Sequence, residues 1–459
     1  MDHRLSEPGP LPNRALQEGA FSGTLTHYSI RWRNQPLADF DPSLAYAETL
    51  DAQDELAAFR QDFLIAEPEL IYLDGNSLGR LPQQTAERLQ RAVNQEWGEG
   101  LIRGWNADWY HAPTRVGDKI ARLVGAAPGQ VIVSDTTSLN LFKLVMAALQ
   151  ARPGRKQIIS DTLNFPSDLY ILQGCIELLG GQHRLELVPS ADGILPDLAV
   201  LEQMIGADTA LVTLSHVVFK SGYLYDAQAI TACAHQAGAL VLWDLSHAAG
   251  AVPVELDAWQ ADLAIGCTYK YLNGGPGSPA FLYVRKDLQE MLQAPIWGWW
   301  AQREPFAFDL DFTPAAGMKR FLVSSPPVLS MLAMESSVDV LLRAGMERLR
   351  RKSVAQTEYL IALSDHILVP LGFHLGSPRA AEQRGSHVSL RHVEGYRINR
   401  ALIETMALIP DFRAPDNLRL GIAPIYTRYV EIWQAVQRIR QVVEERIYER
   451  YSAERLVVT

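Results

Sequence analysis

Cysteine is scarce in this sequence: Cys175, Cys233 and Cys267 are the only three among 459 residues. They are far apart and odd in number, so they build neither a disulfide framework nor a zinc site. Long apolar runs are missing as well. No stretch approaches the ~20 residues that a membrane span needs, and the opening MDHRLSEPGPLPNRALQEG lacks the apolar core of a secretory signal. There is no long basic run, and the formal net charge is −10; nucleic acid and anionic membrane are therefore not expected partners. No GxxxxGK[ST] occurs, which argues against a P-loop nucleotide site, and Gly274, Gly275 and Gly277 follow a strand without opening a helical pattern, which argues against a dinucleotide site. What remains is a globular, cytoplasmic protein, 48% hydrophobic and 20% charged, with material for a large core.

The chain divides into three parts. Residues 1–50 are rich in proline and polar residues and read as an extended N-terminal arm. From about 52 a helical pattern, AQDELAAFRQDFL, leads to a strand and glycine turn in IYLDGNSLGRLP. Apolar runs QVIVSD, QIISD, RLELVP, TALVTLSHV, ALVLWDLS, ADLAIGCT and AFLYV then alternate with helical stretches such as DLAVLEQMI. Such alternation predicts an α/β domain over 51–327, a mostly parallel sheet with helices on both faces. After 327 one long helical region precedes short strands at HVSLRH and LRLGIAP and a final helix from 428. That predicts a smaller α+β domain over 328–459.

The segment GCTYKYLNGGPG at 266–277 sets Lys270 between two tyrosines and runs on into glycines. A surface lysine before a turn is the plain reading. The apolar run ADLAIGCT before it, however, predicts a buried strand with Lys270 at its end. Lysine in apolar surroundings loses its preference for the ammonium form and becomes a usable nucleophile, which a Schiff-base lysine needs. Asp244 closes another apolar strand in VLWDLSHAAG, where an open α/β sheet places ligand-facing residues, although a helix cap would explain it too. An amine and a carboxylate converging at one sheet edge suit pyridoxal 5'-phosphate. Thr137 and Ser138, in VSDTTSLNLFKLV, offer hydroxyls and a helix N-terminus to a phosphate dianion, beyond the one hydroxyl that capping requires.

The stretch DLSHAAGAVPVELDAWQADLAIGCTYKYLNGGPGSPAF at 244–281 resembles the cofactor-lysine segment of the kynureninase family. YLDGNSLGRLP, DTTSLNLFK, NFPSD and LRLGIAPIYTRY resemble that family in the same order, so the likeness covers about 70–430. It implies a homodimeric fold-type-I pyridoxal enzyme with a seven-stranded type of sheet, which cleaves L-kynurenine to anthranilate and L-alanine, with 3-hydroxykynurenine as a second candidate substrate. It further implies Lys270 as the imine lysine, Asp244 as partner of the ring nitrogen with His247 beside it, and Phe165 stacked on the ring. Pro166, Ser167 and Asp168 belong to the same loop; Thr137, Ser138 and Tyr269 hold phosphate, and Ser215 lies near the cofactor's oxygen. Tyr269 is either a phosphate ligand alone or a proton donor as well. Arg419 takes the substrate carboxylate by a planar two-point pairing, with Ser77 also on the substrate side. Trp299 and Ser325 reach the partner's site, and Gln302 stands where the substrate ring is read.

Two segments depart from the family's pattern. GWFGH is usual where this chain has Gly298-Trp299-Trp300-Ala301-Gln302, and Asn or Thr is usual at Ser325. Both bear on the substrate rather than the cofactor. The alternatives are another pyridoxal-dependent β-lyase or aminotransferase, or a scaffold that kept the fold. A desulfurase needs a cysteine on a mobile loop, whereas Cys175 and Cys233 lie in helical patterns and Cys267 in the strand.

Overall fold

A computed structural model of the protein describes residues 40–454; the greater part of the expected arm lies outside the described residues. Helix α1 (Leu44–Ala52) comes first, then strand β1 (Ile71–Tyr72) and helices α2 (Gln83–Arg91), α3 (Arg103–Ala107) and α4 (Ala112–Leu123). Strands and helices then alternate: β2 (Val131–Val133), α5 (Thr137–Gln150), β3 (Gln157–Asp161), α6 (Pro166–Leu178) and β4 (Arg184–Val188). The pattern continues with α7 (Leu198–Met204), β5 (Thr209–Ser215), α8 (Ala227–Gln236), β6 (Leu240–Asp244), β7 (Leu263–Gly266) and β8 (Phe281–Val284).

These strands form one seven-stranded sheet in the order β2-β8-β7-β6-β5-β3-β4. Only β8 runs against its neighbours; β3 through β7 pair in parallel. Strands β5 to β8 are buried along their whole length, which is why they read as unbroken apolar runs. Consequently the carboxyl ends of β5, β6 and β7 and the N-termini of α5 and α6 all lie along one edge, where an open α/β sheet takes its ligand.

The C-terminal part contains α9 (Val328–Ala344), α10 (Met346–Leu363), β9 (His374–Leu375), β10 (His387–Arg391) and α11 (Gly395–Thr405). Strands β11 (Leu408–Ile409), β12 (Asp411–Arg413) and β13 (Asn417–Gly421) and helix α12 (Tyr429–Glu444) complete it. β12-β13-β10-β9 make a four-stranded antiparallel sheet, and β1 pairs in parallel with β11. No described helix is long and apolar enough to cross a membrane.

Four local expectations change. Residues 44–50, read as arm, are helical, and Ala47 is buried in the small domain's core. The helical pattern from 52 is instead a break and a short 3-10 helix, Ala57–Asp62, because the Asp54 carboxylate accepts from the Leu56 N–H (2.9 Å) and turns the chain. The long helix after 327 is two, divided at Gly345 (φ 80°), a conformation costly for any residue with a Cβ. Met331, Met334, Val338 and Leu341 of α9 join the core of the large sheet, whereas Tyr359, Leu360 and Leu363 of α10 join that of the small one. Finally, β7 stops at Gly266, so Lys270 stands in the turn beyond it rather than at the strand's end, and Cys267 lies outside the strand. The Cys267 N–H bonds the Ser246 hydroxyl (3.1 Å) instead of a neighbouring strand.

Candidate active site

Side chains from three parallel strands meet at the carboxyl edge. Ser215 and Asp244, the last residues of β5 and β6, are register partners, and Asp244 stands beside Ile265 of β7. Asp244 is buried and oriented by Ser246, whose N–H (2.8 Å) and hydroxyl (2.6 Å) both donate to Oδ1. Its Oδ2 has the Ser215 hydroxyl at 3.4 Å. Ser215 in turn donates to Asn164 Oδ1 (2.7 Å), which also accepts from the Phe165 N–H (2.8 Å), so one amide positions two of the expected residues.

Lys270 Nζ lies 3.3 and 3.4 Å from the ring nitrogens of His247 and 5.9 Å from the centroid of Phe165. Burial, and then the charge of Lys270, hold His247 well below the ordinary histidine range, so its ring is neutral. Phe165 is 41% exposed, its edge against Phe219. The lysine turn is fixed from outside: the Gly79 N–H donates to the Tyr269 carbonyl (2.8 Å), and a Cβ on Gly79 would lie 2.4 Å from the Lys270 carbonyl. A side chain there would push the turn away. Burial raises the Tyr269 phenol, which therefore stays protonated. Asp168 is buried, and burial together with the charge of Asp244 pushes its carboxyl well above the usual range.

Opposite this edge stands one face of the small sheet. The register sets Asp411 and Ser389 against Arg419 on either side. Arg419 is almost wholly buried, and its Nη2 donates to Asp411 Oδ2 and to the Ser77 hydroxyl (3.0 Å). Nη1 donates to the Phe219 carbonyl (2.5 Å), and with the Asn76 amide turned so that its oxygen faces the guanidinium, Nε donates to it (2.7 Å). Of five N–H groups one is left. As it sits, Arg419 cannot make the expected two-point pairing unless Asp411 lets go. Asp411 also binds Arg413 (2.8 Å) and accepts from Ser77 (2.8 Å). Nearby, burial and then the charge of Asp411 raise Asp74 to about 7.

Thr136 caps α5, its hydroxyl accepting from the Leu139 N–H (3.3 Å), so Thr137 and Ser138 stand in the first turn, where amide N–H groups have no intrahelical partner. The Ser138 and Ser167 hydroxyls are 3.4 Å apart, which brings the N-termini of α5 and α6 together. Pro166 is the first residue of α6.

Trp299, Gln302 and Ser325 are not among the side chains around Lys270. Trp299 and Ser325 are exposed. Gln302 is spent on its own loop: its Nε2 donates to the Asp311 carbonyl (3.0 Å) and its Oε1 accepts from the N–H groups of Arg303 (3.0 Å) and Thr313 (2.8 Å). Among residues that the sequence reading missed, Asn164 and Ser246 lie inside motifs already singled out, NFPSD and DLSHAAG, and small polar residues beside a putting-in-place loop were their signal. Asn76 lies likewise inside YLDGNSLGRLP, whereas Asp411 and His387 gave no such signal.

The residues fit pyridoxal phosphate. Asp244 has one oxygen fixed by Ser246 and a second with a single long contact, as a ring N–H needs. Phe165 offers an open aromatic face within reach of the lysine amine. Two helix N-termini with facing hydroxyls suit a dianion. This combination, at this edge of this sheet, places the chain in the class of fold-type-I pyridoxal-phosphate enzymes.

Solved structures share the fold. A cysteine desulfurase from Thermococcus onnurineus NA1 superposes with a TM-score of 0.73 at 19% identity, covering 84% of this chain and 98% of that one. A cystine C–S lyase gives 0.71 at 20%, covering 81% and 98%. Sequence is more specific. The family described as Kynureninase C-terminal domain matches residues 349–439. The kynureninase of Burkholderia pseudomallei (strain 1106a) is 46% identical over 403 residues, covering 87% of this chain and 95% of its own. That of Pseudomonas fluorescens is 44% identical over 404 residues, with the same coverage. The chain belongs to the kynureninase family. It is a pyridoxal-phosphate-dependent hydrolase of tryptophan catabolism.

Proposed function

We propose that this chain hydrolyses the Cβ–Cγ bond of L-kynurenine, with the side chains of the large-sheet edge acting on the cofactor and those of the small-sheet face on the substrate. One observation carries the reading: Lys270, Asp244, Ser215 and Phe165 converge on one sheet edge, with Arg419 on the facing sheet. Pyridoxal phosphate supplies an aldehyde that captures an amine and a cationic ring that takes up an electron pair from Cα. Asp244 Oδ2 holds the proton on the ring nitrogen. Thr137, Ser138 and Tyr269 hold the phosphate, and Ser167, Pro166 and Asp168 shape the loop that carries Phe165. Lys270, returned to the free amine, moves the proton at Cα. Neutral His247 leaves that amine without a competing cation at close range. Tyr269, protonated, donates in the later steps. The reaction adds one water across Cβ–Cγ: the acyl carbon leaves as the carboxylate of anthranilate, and Cβ takes a proton to give L-alanine.

The active unit in this reading is a homodimer. Trp297, Trp299, Phe306, Phe308 and Leu310 are all exposed in one segment, more apolar surface than a monomer usually shows in one place. A second copy covering it would bring Trp299 and Ser325 to the partner's site. Sedimentation beside an activity assay tests this, because a fully active monomer contradicts it. Product analysis after incubation with kynurenine, 3-hydroxykynurenine and tryptophan tests the reaction. Anthranilate with alanine from kynurenine supports it, and their absence overturns it.

A further inference from the structure

His387 is completely buried, and neither ring nitrogen has a hydrogen-bond partner. The carbonyls of Val218 and Phe219 lie beside the ring and favour its protonated form, but neither makes a well-formed hydrogen bond to a ring nitrogen. A buried, unpaired polar side chain costs roughly 1–3 kcal/mol, and a fold keeps one most readily where a ligand completes it. The position is telling. On β10 His387 is two residues from Ser389, the register partner of Arg419, so His387 and Arg419 project from the same face of the small sheet. They are diagonal neighbours, about 7–8 Å apart along such a ladder. Gly421, opposite His387, adds no side chain to that row. The imidazole centroid is 5.8 Å from that of His247, which touches Lys270. His387 thus stands between Lys270, whose amine the proposed reading sets to work at Cα, and Arg419, the group that takes the carboxylate.

Arg419 has one N–H left for that carboxylate, Asp411, Ser77, Asn76 and the Phe219 carbonyl holding the others. A buried carboxylate with one donor is poorly compensated. We propose that His387 is the second donor to the substrate's α-carboxylate, completing with the last Arg419 N–H a subsite that selects α-amino acids. Burial, then Arg419 and Lys270, hold the ring well below the ordinary histidine range. It enters as neutral imidazole with one N–H, and no partner commits it to either nitrogen. His387 binds and orients substrate, and it carries no proton in the chemical step.

The inference rests on the kynureninase reading, and the test separates the two. Spectral titration of the holoenzyme with L-alanine, and with L-alaninamide as the analogue without a carboxylate, gives two dissociation constants. His387→Phe should weaken L-alanine about tenfold or more, the loss of one hydrogen bond to a charged group, and leave L-alaninamide within about twofold. In turnover it should raise KM for kynurenine more than it lowers kcat. Should phenylalanine not be accommodated, the near-isosteric pair His387→Asn and His387→Leu decides. Asparagine keeps a donor and should bind L-alanine about tenfold more tightly than leucine. Equal losses for both ligands, or no loss for L-alanine, overturn the assignment. If the parent enzyme itself yields no anthranilate, the functional reading fails instead.

Discussion

The large and small domains build their halves of the site differently. At the large-sheet edge, functional side chains stand on strand ends and loops: Ser215 and Asp244 close their strands, and Lys270 and Phe165 follow in the turns beyond. Each is held by short local contacts, as Ser246 holds Asp244 and Asn164 holds Ser215 and Phe165. On the small sheet they sit on paired strands, Asp411 and Arg413 on β12 and Arg419 on β13, and with the Ser77 hydroxyl from the turn after β1 they share a single hydrogen-bonded network. Groups on strand ends can each be altered with limited spread. A buried network answers as a unit.

Replacing Lys270 by alanine gives the largest effect expected on the loop-built side. No other amine stands among the side chains described around Asp244, so turnover should fall by about 10⁴-fold or more with the thermal unfolding profile retained. Rates near the parent's would show that the nucleophile is elsewhere. On the network side, Asp411→Ala leaves Arg413 and buried Arg419 without their carboxylate, and breaking such a pair should cost about 3 kcal/mol of stability. Chemical denaturation measures it. A loss below about 0.5 kcal/mol would mean that the two halves do not differ as described.

Asp244→Asn sharpens the comparison next. Asparagine keeps a hydrogen-bonding oxygen for the Ser246 donors but no counter-charge for the ring nitrogen, so cofactor should be retained better than in Asp244→Ala while turnover falls about 10²-fold. Stopped-flow Cα deprotonation reads it, and parent-like rates in the asparagine variant would remove the electrostatic role.

These two halves also differ in how far the sequence revealed them. Alternating apolar runs disclosed the parallel sheet because its strands are buried on both faces, and a polar residue ending such a run stands out, as Asp244 does. Lys270 was visible for the same reason, although its strand ends four residues earlier, at Gly266. Ser389, His387 and Asp411 sit within strands whose other face is apolar, so their alternation looks like an ordinary half-exposed strand. Only the packing of that face against residues 217–222 and 74–77 makes it a site. The break of the long helix at Gly345 was legible in principle, but a lone glycine in a helical pattern is often tolerated.

Substrate choice is expected to turn on the third region, 297–325, which belongs to neither half within one chain. The Gln302 amide is held to its own loop, one N–H on the Asp311 carbonyl and its oxygen on the N–H groups of Arg303 and Thr313, so its remaining N–H turns towards a ring hydroxyl only if that loop rearranges. Serine at 325 is shorter than the usual asparagine. With the 3-hydroxyl unpaired, kcat/KM for L-kynurenine should exceed that for 3-hydroxykynurenine by about tenfold. Measuring both on one preparation decides it, and a preference for the hydroxylated substrate would mean that Ser325 or a rearranged Gln302 reaches the hydroxyl.

A pH series separates the site's histidines from one with a purely structural place. His216 follows β5 and packs on Trp243 (5.8 Å between centroids) and Trp259 (4.9 Å), wholly inside the large domain. Burial lowers it to about 3 from an unfolded value of 6.5. The folded state therefore refuses a proton that the unfolded chain accepts. Its contribution to stability is intact above pH 6.5 and is lost as pH falls from there towards about 3. The slope for one such group is about 1.4 kcal/mol per pH unit, or about 2 kcal/mol between pH 6.5 and 5. His216→Phe has nothing to protonate at that position, so its stability should decline less steeply with acid than the parent's by that amount, whatever its stability at pH 7. Asp74, raised to about 7, titrates in the same range, but it is common to both proteins and cancels in the difference. Denaturant melts of both proteins at pH 7, 6 and 5 provide the comparison. Parallel decline would mean that water or a backbone shift lets the His216 ring charge within the folded state.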